Sequence, residues 1–290
     1  MEGGSREPES RYNPFMTHVP PPFEIPEVLL EELKTLGPLL DLGNETYNFG
    51  RSIFEQSLRG KSPDSDFKIV AYLIFTKSFR TFQAVQNLCR CGLGSDAISL
   101  CGSLFENYIN LRYIEKAPVR RSRRYLQYEQ VEKYYQARKV LRRKRLPIGL
   151  RKEYRNYESK LDRQVCSLLD YFPKKSLGWS QKKLADRATA VKATLEYDTL
   201  YWVFCGHKHT LPMVAADSIF KHTGGLDFLY GASIKGVYHA CKHSAEYFLK
   251  LCDVFGHIYQ LGIRSDFSAM YKRLQKVAED IFQAHPRLCD

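Results

Sequence analysis

The sequence predicts an all-α protein, a multi-helix bundle. Three observations carry that reading. Apolar residues recur at helical spacing through most of the chain, no run alternates apolar and polar residues between turn signals, and no segment repeats at a fixed period. The chain has 290 residues, 44% of them hydrophobic, which is enough to bury a substantial core. No apolar run approaches the roughly 20 residues that a membrane span needs. The first ten residues, Met1 to Ser10, lack the basic start and apolar centre of a signal peptide, so the cytoplasm is the expected location.

Residues 1–26 are rich in Pro, Gly, Ser and Glu and contain a polyproline-like run from Val19 to Pro26. They predict a flexible, Pro-rich N-terminal arm, with residues 27–290 as a single helical domain. Val28, Leu29, Leu33 and Leu36 share one face of a short helix over Glu27–Leu40, which Gly37-Pro38 breaks or kinks. A second helix covers Leu42–Leu58. After a loop, Ser65 or Asp66 is placed to cap a long helix, Phe67–Cys91. Gly92-Leu-Gly94 is a tight turn into Ser95–Lys116, so these two helices form an antiparallel hairpin. Val119–Arg145 is a basic helix, and Leu150–Phe172 follows the breakers Pro147 and Gly149. A short helix over Gln181–Ala188 leads into an aromatic segment that ends before Pro212. Thr223-Gly-Gly225 reads as a turn, Leu226–Leu261 as one long helix and Arg264–Ala284 as the last.

The eight cysteines form no CxxC pair and mostly lie in helical apolar patterns, which predicts reduced, mostly buried thiols. No cofactor is expected.

Charge is concentrated. The net charge is +12, and between Val119 and Arg155 fourteen bases face three acids. That segment therefore holds almost all of the excess. The cations Arg120, Arg121, Arg123, Arg124, Arg138, Arg142, Arg143, Lys144 and Arg145 are interleaved with tyrosines. Lys and Arg neutralise phosphates and tyrosines stack on bases, so nucleic acid, RNA above all, is the partner this pattern points to. An acidic protein fits the same feature, with the chain as a non-catalytic interaction or assembly module.

Candidate chemistry centres on Glu196–Pro212. In a helix there, Tyr197, Tyr201, Cys205 and His209 share a face, and Pro212 puts His209 in the last turn. His209, with His207 beside it, has the titration range of a general base; it also suits a helix C-cap or a hydrogen bond to Tyr201. Glu106 and Asn110 lie four apart in an apolar helix, and Arg112 offers Glu106 an ion-pair partner. His239, His243 and Glu246 share one helical face, the arrangement of a helix-borne metal site in a hydrolase; continued through Lys250, Asp253 and His257, the same stripe reads as a solvated face.

Leu88–Ala97 (Leu-Cys-Arg-Cys-Gly-Leu-Gly-Ser-Asp-Ala), then Ser103–Ile114, then a basic helix, then Tyr201-(x3)-Cys205-(x3)-His209, is an order that resembles the DUF5677 family of uncharacterised, mostly prokaryotic helical proteins, over about residues 65–215. In that pattern a small hydroxyl residue usually stands where Cys205 stands. A more distant similarity is to HEPN proteins, helical bundles of toxin and defence systems. It implies metal-independent RNA cleavage by an Arg closely preceding a His. This chain departs from that pattern, because the nearest Arg before His209 is Arg187. On this reading an Arg of the basic helix would supply the charge, and His209, His207, Tyr201, Cys205 and Glu106 are the catalytic candidates. Assembly into a homo-oligomer stays open.

Overall fold

The computed structural model describes residues 27–59, 63–209, 211–216, 219–222, 225–228 and 231–289. The N-terminal arm read from the sequence lies outside them. Helix α1 (Glu27–Thr35) and helix α2 (Gly37–Leu58) meet at Leu36, whose fully buried side chain pins the junction, and Pro38 in the first turn of α2 needs no N–H there. In helix α3 (Asp66–Arg90), Ser65 is the N-cap: its backbone is extended and its hydroxyl accepts the N–H of Lys68 at 3.4 Å. Gly92, at φ 69°, turns the chain into α4 (Gly94–Glu115). The α3–α4 hairpin is therefore as the sequence predicts.

Helix α5 (Pro118–Leu141) and helix α6 (Ile148–Leu169) form a second antiparallel pair. Next come α7 (Leu184–Ala190), α8 (Thr194–Glu196), a π-helical turn over Tyr197–Tyr201, α9 (Trp202–His209) and α10 (Pro212–Ala216). A two-stranded hairpin follows, β1 (Ile219–His222) antiparallel to β2 (Gly225–Phe228), with Ile219 opposite Phe228 and His222 opposite Gly225. Helices α11 (Val237–Ile258) and α12 (Arg264–Ala284) complete the chain.

The bundle is organised around α11, which packs against α2, α3, α4 and α12. Fifteen of its 22 residues are buried. Aromatic rings fill the space between α3 and α11: Phe82 stacks on Phe248 with centroids 4.6 Å apart, and Phe75 on Phe255 at 4.2 Å. The start of α4 lies hard against the start of α11. A Cβ on Gly94 would stand 2.3 Å from the Lys235 carbonyl oxygen and the Val237 nitrogen, so only glycine fits.

The sequence predicts one long helix over Leu226–Leu261, and the structure divides it. Leu226–Leu261 is not one helix, because its first part is strand β2 and α11 starts at Val237. Gly231 and Gly236 explain the break: each costs a helix interior about 1 kcal/mol relative to alanine, and Gly236 takes a left-handed φ of 75°. The approach to α11 is pinned to the α3–α4 turn instead, by Ser233 N–H donating to the Gly92 carbonyl at 2.7 Å.

All eight cysteines are free thiols, and five are buried. Among the described residues no helix is long and apolar enough to cross a membrane.

Candidate functional site

The basic helix of the sequence reading becomes one half of a projecting arm. The first half of α5 packs on α3, whereas α6 packs chiefly on α5. The pair has its own small core of Val131, Tyr134, Leu161, Val165 and Phe172, separate from the main one. Spacing explains this, since Val131 and Tyr134, like Leu161 and Val165, recur every three or four residues and leave the remaining faces to charge.

The arm divides the predicted cations into two sets. Arg121 lies over the Tyr113 ring at 3.7 Å and donates to the Tyr113 carbonyl. Arg124 lies over Phe172 at 5.2 Å and donates to the Tyr171 carbonyl; burial, with Arg120 nearby, lowers its pKa. Arg138 pairs with Glu158 at 3.4 Å and donates to the Tyr134 hydroxyl at 3.3 Å. These three fasten the arm. Arg120, Arg123, Arg142, Arg143, Lys144 and Arg145 are exposed, and among the described residues their side chains have no ion-pair or hydrogen-bond partner. Four of them crowd the tip. Arg151 joins them there and holds the turn through the carbonyls of Arg143 and Lys144, at 3.3 and 3.4 Å. Lys152 and Arg155 are exposed beside it, and Glu153 is the one acid between Arg142 and Arg155.

The aromatic segment builds an inner polar site. The π-helical turn widens the backbone at Tyr197–Tyr201, a distortion that recurs at functional positions. The rings of Tyr197 and Tyr201 stack at 5.3 Å, and the Tyr201 hydroxyl reaches α4 and donates to Glu106 at 2.6 Å. Gly102 permits this approach, since its missing side chain leaves room for Phe204. Burial first, then Glu106 and Cys205, raise the pKa of the Tyr201 hydroxyl far above its ordinary value, so it stays a donor. One helical turn along α4, Asn110 accepts from Arg187 of α7. That guanidinium is half-buried over Trp179, and burial lowers its pKa against the pull of Glu106.

The structure therefore corrects the expected partner of Glu106. Arg112 pairs with Glu115 at 2.5 Å, one turn further toward the end of α4, while Glu106 faces α9. Six residues of helix separate Glu106 from Arg112, which places them on different faces. His209 ends α9 as predicted, but it is exposed and has no hydrogen bond among the described residues, to Tyr201 or any other group. His207 points elsewhere, its Nδ1 lying 2.9 Å from the Ser95 hydroxyl at the start of α4. Tyr201, Cys205 and Glu106 thus come together, and the two histidines do not join them.

His239, His243 and Glu246 do share one face of α11, with the two rings stacked at 5.9 Å. That face is covered at His243, Glu246 and Lys250, which corrects the solvated-face reading there, while His257 further along the stripe is exposed. Glu246 accepts from Lys250 at 2.7 Å and from Tyr271 of α12 at 3.0 Å, and His243 Nδ1 lies 3.7 Å away, an ion-pair distance too long for a hydrogen bond. Lys250 also faces Glu196 of α8 at 3.7 Å. Burial pulls the Glu246 carboxyl up, but His243 and Lys250 outweigh it and hold the pKa at about 2. His239 Nε2 contacts the Cys289 carbonyl at 2.6 Å. Among the described residues no three His, Cys, Asp or Glu side chains converge as a metal site requires.

Sequence reasoning missed Arg187, Trp179, Ser95 and Tyr271. The hydrogen-bond partners of Arg187, Ser95 and Tyr271 lie 25 to 112 positions away, and no local pattern marks them.

Comparison places these sites in context. The profile of a family of unknown function (DUF5677) matches residues 68–226, a span that runs from α3 to β2 and holds both the arm and the inner polar site. No curated protein and no solved structure matches the chain.

Proposed function

Because the chain belongs to this family of unknown function (DUF5677), whose matched span contains the whole α5–α6 arm, we propose that the arm is a nucleic-acid-binding element with RNA as its preferred partner. The observation that carries the proposal is the unpartnered cation cluster at the tip: Arg142, Arg143, Lys144 and Arg145, with Arg151, Lys152 and Arg155 alongside. Cations spent on folding find carboxylates or aromatic faces, as Arg121, Arg124 and Arg138 do. Cations left in water on a protruding hairpin are placed to displace counterions from phosphates. Cleavage forms no part of the reading. Tyr201 and Glu106 satisfy each other, and His209 has no orienting acid or guanidinium among the described residues.

A second reading, an acidic protein partner, draws on Ile148, which is 88% exposed between the two basic runs. An isoleucine in that position is an anchor for a protein surface rather than a phosphate.

The test is fluorescence anisotropy with labelled single-stranded RNA across a salt series. If six phosphates are engaged, affinity falls about 300-fold between roughly 50 and 200 mM salt, and replacing Arg142, Arg143, Lys144 and Arg145 by glutamine cuts the logarithmic salt slope by about 3. Binding whose slope is the same in the variant removes the tip as the RNA site. No binding at low salt removes RNA and turns the question to acidic proteins.

A further inference from the structure

At the end of the bundle away from the α3–α4 turn, the start of α3, the end of α4, the end of α11 and the start of α12 enclose a cleft of about 980 Å³. Beside the neutral Gln260 and Ser268, its titratable lining falls into two groups. Glu115 is fully engaged, by Arg112 at 2.5 Å and by His257 Nδ1 at 2.9 Å. Asp253 and Arg264 also line the cleft, and among the described residues neither side chain has a hydrogen bond or ion pair, to the other or to any third group. Asp253 is half-buried, and burial raises its pKa even though Arg112, Arg264 and His257 draw it down. A half-buried carboxyl and an exposed guanidinium that line one cleft without pairing offer a ligand one charge of each sign.

The helix ends add directed fields. Asp253 lies in the last two turns of α11, toward the end of the helix whose partial negative charge favours a cation. Arg264 is the first residue of α12, where free N–H groups favour an anion. A ligand that satisfies both must carry a cation at one end and an anion at the other. Phe67 and Phe267 supply apolar wall between them.

We propose that this cleft binds an amino-acid-like zwitterion, with its carboxylate on Arg264 and its ammonium on Asp253. The pairing pattern supports this class over a simple anion: Glu115 is already engaged by Arg112 and His257, which leaves Asp253 and Arg264 as one carboxylate and one guanidinium without an ion pair among the described residues. The volume takes a single amino acid or a short peptide. The proposal is independent of the RNA reading, since the cleft lies on other elements than the arm.

The experiment is titration of the full chain with each of the standard amino acids singly, followed by amide chemical shifts and thermal unfolding. For the tightest ligand, its decarboxylated amine and its deaminated acid are titrated in parallel. The expected result is saturable binding of at least one amino acid, with both one-ended analogues and the Arg264→Gln variant about ten- to a hundredfold weaker, the effect of losing one charged hydrogen-bonded end. Arg264 is exposed at a helix start, so that variant keeps the fold, and Asp253→Asn supplies the complementary loss of the ammonium contact. Three outcomes overturn the proposal: no amino acid binds; the deaminated acid binds as tightly as the parent; or Arg264→Gln binds unchanged.

Discussion

Lowering the pH should unfold this protein through Glu246 in particular. In the folded chain its carboxyl titrates at about 2, against an ordinary value of 4.5, because His243 and Lys250 outweigh the burial that pulls it up. The folded pKa is depressed, so the stabilisation is fully present above about pH 4.5 and is lost as pH falls toward 2. The whole shift corresponds to about 3 kcal/mol, of which about 2 kcal/mol is gone by pH 3. Little of this is screened, since the Glu246 side chain is only 14% exposed and Lys250 17%. Protonation leaves Lys250 facing Glu196 alone at 3.7 Å and takes the countercharge from beside His243. The assay is urea unfolding of the wild type and Glu246→Gln at about pH 6 and pH 3. Other carboxylates contribute to both proteins, so the reading is the difference: the wild type should lose about 2 kcal/mol more than the variant. Equal losses would refute the reasoning, and would mean that Glu246 titrates like a solvated side chain.

Three further outcomes follow from the packing. Tyr201→Phe removes the donor that Glu106 accepts at 2.6 Å, and should cost about 1.5–3 kcal/mol in chemical denaturation; a neutral result would mean that water replaces the bond. Gly94→Ala drives a methyl to 2.3 Å from backbone of the α11 approach, and should destabilise by about 1–3 kcal/mol, whereas Gly149→Ala at the open tip of the arm, with nothing within 4 Å, should stabilise slightly; thermal unfolding of the two variants side by side checks the contrast. At alkaline pH the buried tyrosines act together. Burial raises Tyr247, Tyr259 and Tyr271, and takes Tyr238 to about 12, so their contribution is intact below about pH 10 and lost as pH rises beyond it, which far-ultraviolet circular dichroism against pH will register as unfolding before the tyrosinate absorbance is complete.

The sequence by itself determined the helices that carry strong local signals. Apolar periodicity between glycine and proline breakers located α3, α4 and α12 to within a residue or two, and the α3 cap is Ser65, one of the two residues the sequence offered. The concentration of charge in Val119–Arg155 is likewise a property of the sequence alone. What the sequence could not say is which cations are spent. Arg121 and Arg142 look alike in a helical pattern, and only the position of Tyr113 and the end of the arm separates them. The same holds for the middle of the polar stripe of α11, Glu246 and Lys250, which period alone reads as solvated and which α12 and α8 cover. Local pattern also failed from Leu226 to Gly236, where apolar residues at helical spacing were outweighed by glycine entropy and by a hydrogen bond to Gly92 far back in the chain. The bond from Tyr201 to Glu106 forms where α9 packs along α4 at Gly102, a contact between distant parts of the chain. Helix propensity and charge are local properties and can be read in order; the partner of a buried polar group is fixed by the tertiary structure, because burial makes an unpaired group costly only once the neighbouring helices are in place.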